Sequence, residues 1–203
     1  VHNQELAILD KPHVTQESFF SSLGHLKKKN LELLRTATTL ANFNSSIIVK
    51  KSSSASTYVE AYEGYSFSVK NLLVNKQRFF KSPSILCVDG YVESVSEVHH
   101  LFSGLAEASL ACVIFCRGMS DDVLHTIKVN NDRGIMNVQP FQVMFDVDNV
   151  NTLVDIAMVV GCDVVSSLKG QLISSISVSD LKKVESCTVS PDKVTIKNHN
   201  TKL

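Results

Sequence analysis

The 203 residues carry 20 basic and 20 acidic side chains, for a formal net charge of zero, and 44% of them are apolar. That balance removes any electrostatic case for nucleic acid or an anionic membrane as partner, and the apolar content is ordinary for a globular protein. No apolar run approaches the roughly 20 residues of a membrane-spanning helix, and the length suffices for one domain with a good core, or one domain plus part of another.

The amino end, VHNQELAILDK, lacks the charged and apolar regions of a signal peptide. Its first residue is Val, which suggests an excised or processed piece. Residues 1–14 read as irregular. Thr15 or Ser18 can cap a helix running to about Asn42, with Phe19, Phe20, Leu23, Leu26, Leu33, Leu34, Ala37 and Leu40 at mostly helical spacings. Lys27-Lys28-Lys29 reads as its solvated face. Ile47 to Val49 reads as a strand, Ser52 to Ser56 as a loop, and Thr57 to Tyr62 as strand-like. Val69 to Val74 reads as a short helix or an irregular apolar segment, and Ser84 to Asp89 as a strand.

The stretch from Val92 to Gly134 organises the rest. Ser94 followed by Glu97 is a capping-box signature, because hydroxyl and carboxylate together satisfy free amides of a first helical turn. At about 100° per residue, Val95, Val98, Leu101, Phe102, Leu105, Ala106 and Ala108 spread over roughly 160°, wider than core burial needs. Cys112 to Arg117 is a strand whose apolar run, Cys112 to Cys116, predicts cover on both faces. Ser120 can cap the next helix, with Asp121 and Asp122 favoured by the positive end of its dipole. Gly134 suits a left-handed closing position. Val123 and Ile127 of that helix, with Met119 before them, make a narrow core-facing arc, Leu124 sits at its edge and Val129 well outside it. The surplus apolar surface of the two helices has two readings: other elements cover it, or a groove between them stays open for an apolar partner.

Beyond Gly134, Ile135 to Phe145 reads as two strands split by Pro140. Asp148 can cap a helix through Val160 that ends at Gly161. Asp163 to Ser167 is strand-like, Ser179 to Lys183 one helical turn. Ser186 to Val189 and Lys193 to Lys197, joined by Ser190-Pro191-Asp192, read as a hairpin with a type I turn. Strands alternating with helices, then a hairpin, predict an α/β domain with a mixed sheet.

Five cysteines, at 87, 112, 116, 162 and 187, sit in mostly apolar settings and read as reduced buried thiols of a cytosol-like compartment. Cys112 and Cys116 point to one strand face, too far apart along it for an easy disulfide. There is no CxxC, and His99-His100 diverge on a helix, so no metal site is expected. P-loop, dinucleotide, nucleophile-elbow and zinc-protease motifs are all missing.

The order of segments resembles the apical domain of the bacterial-type (group I) GroEL-like chaperonins. Val59-Glu60 with Asn75-Lys76, Ile85 to Val92, and above all Thr126 to Gly134 (TIKVNNDRG, similar to the family's TLVVNTMRG) carry the likeness. Asp155-Ile156-Ala157, Val164-Val165-Ser166 and the Lys193-Val194-Thr195-Ile196 hairpin continue it, over roughly residues 46 to 200. The resemblance implies residues 1–58 as a partial intermediate-domain segment. It implies residues 59–203 as an apical domain, a mixed sheet or sandwich flanked by helices.

It further implies a groove between two helices that binds exposed hydrophobic segments of non-native proteins. By position an underlying segment supplies Ser68, Leu72 and Leu73, the first helix His99 and Phe102, and the second Leu124, Lys128 and Val129. Expected with it are a cytoplasmic homo-oligomeric ring and, in a full-length protein, ATP and Mg. This piece lacks the nucleotide-binding motifs, so neither enzymatic activity nor a cofactor of its own is expected. Ser68, His99 and Lys128 are polar where the family prefers apolar groups, which argues against use of the groove by a co-chaperonin lid. Ala61 replaces a hinge glycine, with Gly64 nearby. The alternative is a small α/β enzyme or ligand-binding domain with its site at the strand carboxyl ends, near Asp89-Gly90 and Arg117-Gly118.

Overall fold

The structure, a computed structural model, describes residues 16–41, 49, 55–59, 61, 63–73, 77–144 and 152–198. The chain divides into two compact units, Val1–Glu63 and Gly64–Leu203. The first holds α1 (Gln16–Ser22) and α2 (Lys28–Ala41). The single helix expected up to Asn42 is therefore broken. Its ladder tightens at Leu23 and Gly24, whose N–H groups donate to Phe20 O (3.2 Å) and Ser21 O (3.4 Å). A new helix starts where Asn30 and Leu31 both donate to Lys27 O. Gly24 makes that break cheap, since glycine is a poor helix former. Lys27, Lys28 and Lys29 are exposed. Within this unit the Arg35 guanidinium stacks over the Phe20 ring at 5.1 Å.

The strands expected at Ile47 to Val49 and Thr57 to Tyr62 fall partly outside the described residues. Val49, 57–59 and 61, which are described, form no strand. Thr15, Asn42, Ser52 to Ser54, Glu60, Val74, Asn75, Lys76, Phe145 and Asp148 also lie outside the described residues.

In the second unit the elements are β1 (Tyr65–Ser68), β2 (Lys70–Asn71), β3 (Arg78–Lys81), β4 (Ser84–Val88), β5 (Tyr91–Val92), α3 (Val95–Glu107), β6 (Ala111–Cys116), β7 (Gly118–Met119), α4 (Asp121–Asp132), β8 (Asn137–Gln142), α5 (Thr152–Val160), β9 (Val164–Val165), β10 (Lys182–Lys183), β11 (Ser186–Val189) and β12 (Lys193–Lys197). Three 3₁₀ turns, Ser167–Lys169, Ile173–Ser175 and Val178–Asp180, fill the span between β9 and β10.

The fold is mixed α/β. A central sheet runs β10-β4-β6-β8-β2, parallel through β4, β6 and β8, with antiparallel edges and β9 added in parallel to β4. A second sheet, β1-β12-β11-β3, is wholly antiparallel and contains the expected hairpin.

Strand alternation divides the interior into two cores. Ile85 and Cys87 of β4, Val113 and Phe115 of β6, and Phe141 of β8 face α5 and the antiparallel sheet, where Phe80, Cys187, Val189, Val194 and Ile196 meet them. Leu86, Val88, Cys112, Ile114, Cys116 and Val138 face the other way, under α3 and α4. The apolar run of β6 is thus covered on both faces, as its sequence requires.

Pro140 does not divide two strands but sits inside β8. Its carbonyl accepts from Leu72 N–H at 3.2 Å, on the side away from β6. N and O of one strand residue point the same way, so the missing N–H falls toward the sheet's short edge, where proline is tolerated. Ser179 to Lys183 is a 3₁₀ turn running into a strand. Val69 to Asn71 flank and form the two-residue β2, with Leu72 and Leu73 in a bend.

Candidate functional site

The helix pair rises from two caps. Ser94 Oγ accepts from Ser96 N–H at 3.2 Å while Glu97 accepts from Ser94 N–H at 2.8 Å, completing the capping box. At α4, Ser120 Oγ accepts from Val123 N–H at 3.4 Å, with Asp121 and Asp122 exposed in the first turn. At the far end Gly134 (φ 70°) donates to Asn131 O and Ile135 N–H to Asn130 O, both at 3.0 Å, a Schellman closure. Val98, Leu101, Phe102 and Leu105 of α3 and Val123 and Ile127 of α4 root both helices in one core.

The segment 70–73 is tied to β8 beneath them. Leu72 is bound through Pro140 O, and Asn71 Oδ1 accepts both Leu73 N–H (3.0 Å) and the amide of fully buried Gln139 (2.8 Å). The sequence reading did not name Gln139 or Asn71. The available signal was Gln139 in the middle of NVQPFQ, flanked by Val138 and Pro140, because a polar side chain buried within a strand needs a partner.

Of the eight residues assigned to a groove, Leu72, Leu73, Phe102 and Leu124 pack in that one cluster. Phe102 is 5% exposed, a core residue, whereas Leu72, Leu73 and Leu124 are half-buried. Val129 is half-buried on α4, and His99 and Lys128 are exposed. Ser68 stands apart on the antiparallel sheet, opposite Lys193.

Much of the surplus apolar face of α3 is covered. Ile173, Ile176 and Val178 of the 3₁₀ segment pack against the cluster, and Val178 abuts Gly104. At the strand carboxyl ends, Arg117 Nε donates to Asp89 Oδ1 at 2.8 Å and its Nη1 reaches the Val143 and Met144 carbonyls at 3.4 Å. Those two polar groups of the alternative ligand site therefore engage protein partners. Two clefts, of about 510 and 460 Å³, open around Gly161–Asp163, and the second of them is bordered by Asp89. Among the described residues no cluster of His, Cys, Asp and Glu could hold a metal ion, and no helix is long and apolar enough to cross a membrane.

No protein-family model matches the chain. Among curated proteins it is similar to chaperonin GroEL 1 of Prochlorococcus marinus strain MIT 9312, 25% identical over 158 residues, which cover 74% of this chain and 27% of that protein. The corresponding chaperonin GroEL 1 of strain MIT 9313 is 28% identical over 158 residues, 74% of this chain and 28% of that protein. That of a further Prochlorococcus marinus strain is 26% identical over 165 residues, 77% of this chain and 29% of that protein. These matches support a GroEL-like chaperonin relationship. The chain spans only a little over a quarter of the length of the GroEL-like relatives it matches.

Proposed function

We propose that the chain is the substrate-binding apical domain, with part of the intermediate domain, of a divergent group I GroEL-like chaperonin. It binds exposed hydrophobic segments of non-native polypeptides along the seam between α3 and α4. The observation that carries this reading is the convergence of Leu72, Leu73 and Leu124, each half-buried, on the one core shared by the two helices. Half-buried leucines present apolar edges without unfolding the core, which suits capture of an extended or helical apolar segment with little sequence preference. Phe102 supports the seam from below, and His99 and Lys128 give it a polar rim.

In this reading the chain performs no chemistry of its own. ATP and Mg act in the nucleotide-binding part of a full-length, cytoplasmic, ring-forming protein, and the polar rim disfavours a co-chaperonin lid at the same place. Multivalency in such a ring would turn weak contacts at each seam into firm capture.

The test is suppression of aggregation of a chemically denatured model protein by the folded chain. Leu124→Glu and Val129→Glu, shown by circular dichroism to keep the fold, are expected to lose most of the suppression. Leu168→Glu, at a fully exposed position outside the seam, is expected to keep it. Equal suppression by all three variants overturns the placement of the site.

A further inference from the structure

Two cysteines far apart in sequence meet where α5 turns into β9. Gly161, at φ 75°, donates to Ala157 O (2.8 Å) and Met158 O (3.2 Å), and Cys162 N–H donates to Ala157 O (3.0 Å). This Schellman closure folds the residue after the glycine back over its helix. Two residues later Val164 pairs in parallel with Cys87 of β4. Side chains two apart along a strand share a face, so Cys162 and Cys87 converge on the α5 side of the sheet. Their sulfurs lie 3.8 Å apart, within S–H···S hydrogen-bond reach. Both are free thiols.

Access differs between the two. Cys87 is fully buried in β4 and borders only the larger cleft, whereas Cys162 is half-buried and lines both clefts that open around Gly161–Asp163. We propose that Cys162 and Cys87 form a peroxide-reactive dithiol, with Cys162 the residue that attacks a peroxide entering the cleft and Cys87 the residue that resolves it to a disulfide.

The chemistry balances without further reactants. The Cys162 thiolate attacks one oxygen of a hydroperoxide; an S–O bond forms, the O–O bond breaks, and the released alkoxide or hydroxide takes up a proton. Cys162 is now a sulfenic acid and the peroxide has been reduced. The Cys87 sulfur then attacks the Cys162 sulfur; the S–S bond forms, the S–O bond breaks, and hydroxide leaves with the Cys87 proton as water. In sum, two thiols and a hydroperoxide give a disulfide, an alcohol (water, for hydrogen peroxide) and water. The sulfurs must close to about 2.0 Å, a side-chain movement at a turn already lying against β4.

The electrostatics agree with this division of roles. The Cys162 pKa lies below the ordinary thiol value, chiefly because the Cys87 S–H can bond its thiolate, and the Lys182 ammonium adds to that against burial and Asp163. Cys87 is pushed well up, by the same hydrogen bond and by burial. Cys112, Cys116 and Cys187 are buried and serve as internal controls.

The experiment treats the folded whole chain with hydrogen peroxide, alkylates the remaining thiols, and maps the digest by mass spectrometry. Expected is a Cys87–Cys162 cross-linked peptide, formed at least about tenfold faster than any oxidation of Cys112, Cys116 or Cys187. Cys162→Ser is expected to abolish the rapid loss of the Cys87 thiol. Cys87→Ser is expected to leave a sulfenic acid at Cys162 that dimedone traps. If Cys87→Ser does not fold, the parent map and Cys162→Ser still decide the matter. Oxidation spread evenly over the five cysteines, or Cys162 oxidised beyond sulfenic acid with Cys87 still alkylatable, overturns the proposal. So does full retention of all five thiols under conditions that oxidise the denatured chain.

Discussion

Gly104 on α3 stands directly against Val178: a β-carbon on the glycine would lie 2.8 Å from Val178 Cγ2. This contact seats the 3₁₀ segment on the flank of α3 and so decides how much of that helix's apolar face reaches solvent. Ser177 holds the turn, its N–H donating to Asp180 Oδ2 at 2.8 Å. Gly104→Leu is expected to push Val178 and its neighbours away, at a cost of about 1–3 kcal/mol for overpacking. The helix gains propensity from losing a glycine, which offsets about 1 kcal/mol of that. Urea unfolding would read the net loss, and binding of a hydrophobic dye should rise as Ile173 and Ile176 lift off. Unchanged dye binding would show that the segment does not cover α3.

Gly64 begins the second unit at φ 121°, and a β-carbon there would stand 2.5 Å from the Ile196 carbonyl oxygen. Both the backbone angle and the close approach exclude an L side chain. Gly64→Ala is expected to cost about 1–3 kcal/mol, read as a lower thermal midpoint, and to loosen the pairing of β1 on β12. Ala61→Gly, at an exposed position of ordinary chain, should change stability by well under that. Equal effects of the two would remove the case for a special backbone position at Gly64.

Local signals made α3, β4, β6 and α4 legible, because each element's ends and buried faces are written within a dozen residues. Ser94 with Glu97, Ser120 with its aspartates, and Gly134 fix three helix ends by short-range hydrogen bonds alone. The errors fall where a distant partner decides. Pro140 is admitted to β8 only because the neighbouring β2 is two residues long. The helix through Leu23 and Leu26 reads as continuous because the apolar spacing runs on across Gly24. β1 and β3 escaped notice because three of four residues in the first are exposed and Phe79 of the second points out. Within the candidate site, half-buried Leu124 was readable from helical angles, whereas Leu72 and Leu73, in a bend, were reached only through the resemblance. How fully Phe102 is buried was not readable, and the 3₁₀ turns that pack on the same cluster lie some 70 residues on and have no periodicity. The meeting of Cys87 and Cys162 depends on the register of β9 against β4, which no local pattern encodes.

The α3 capping box satisfies two of the amides that a helix start leaves open. Ser94→Ala removes one acceptor and leaves Glu97 bonded to the Ser94 position's own N–H, so a loss of about 1 kcal/mol is expected. Ser94→Asp should restore most of it, since a carboxylate also caps and favours the positive dipole end. Chemical denaturation of the three proteins checks the order. A full loss in Ser94→Asp would mean that the serine acts through its Ser96 hydroxyl contact of 2.8 Å and not as a cap.

Buried thiols make the fold sensitive to alkali, and the sign follows from which state holds the proton. Burial pushes Cys112, Cys116 and Cys187 from the ordinary 9.0 up to about 12, with the Gly118 backbone partly opposing it at Cys116. Below pH 9 both folded and unfolded chains keep these protons, and the full stability is present. Between pH 9 and 12 the unfolded chain releases them while the folded chain retains them, so stability falls by about 1.4 kcal/mol per pH unit for each thiol. Cys87, also raised, acts in the same direction. Cys162 acts oppositely, because its lowered value gives stability that is lost as pH falls through it. Urea midpoints are therefore expected to hold steady up to about pH 9 and then drop steeply. Cys112→Ala starts from a lower stability, having lost packing, but its alkaline slope should be shallower by the share of one thiol. An unchanged slope in that variant would assign the alkaline transition to other groups.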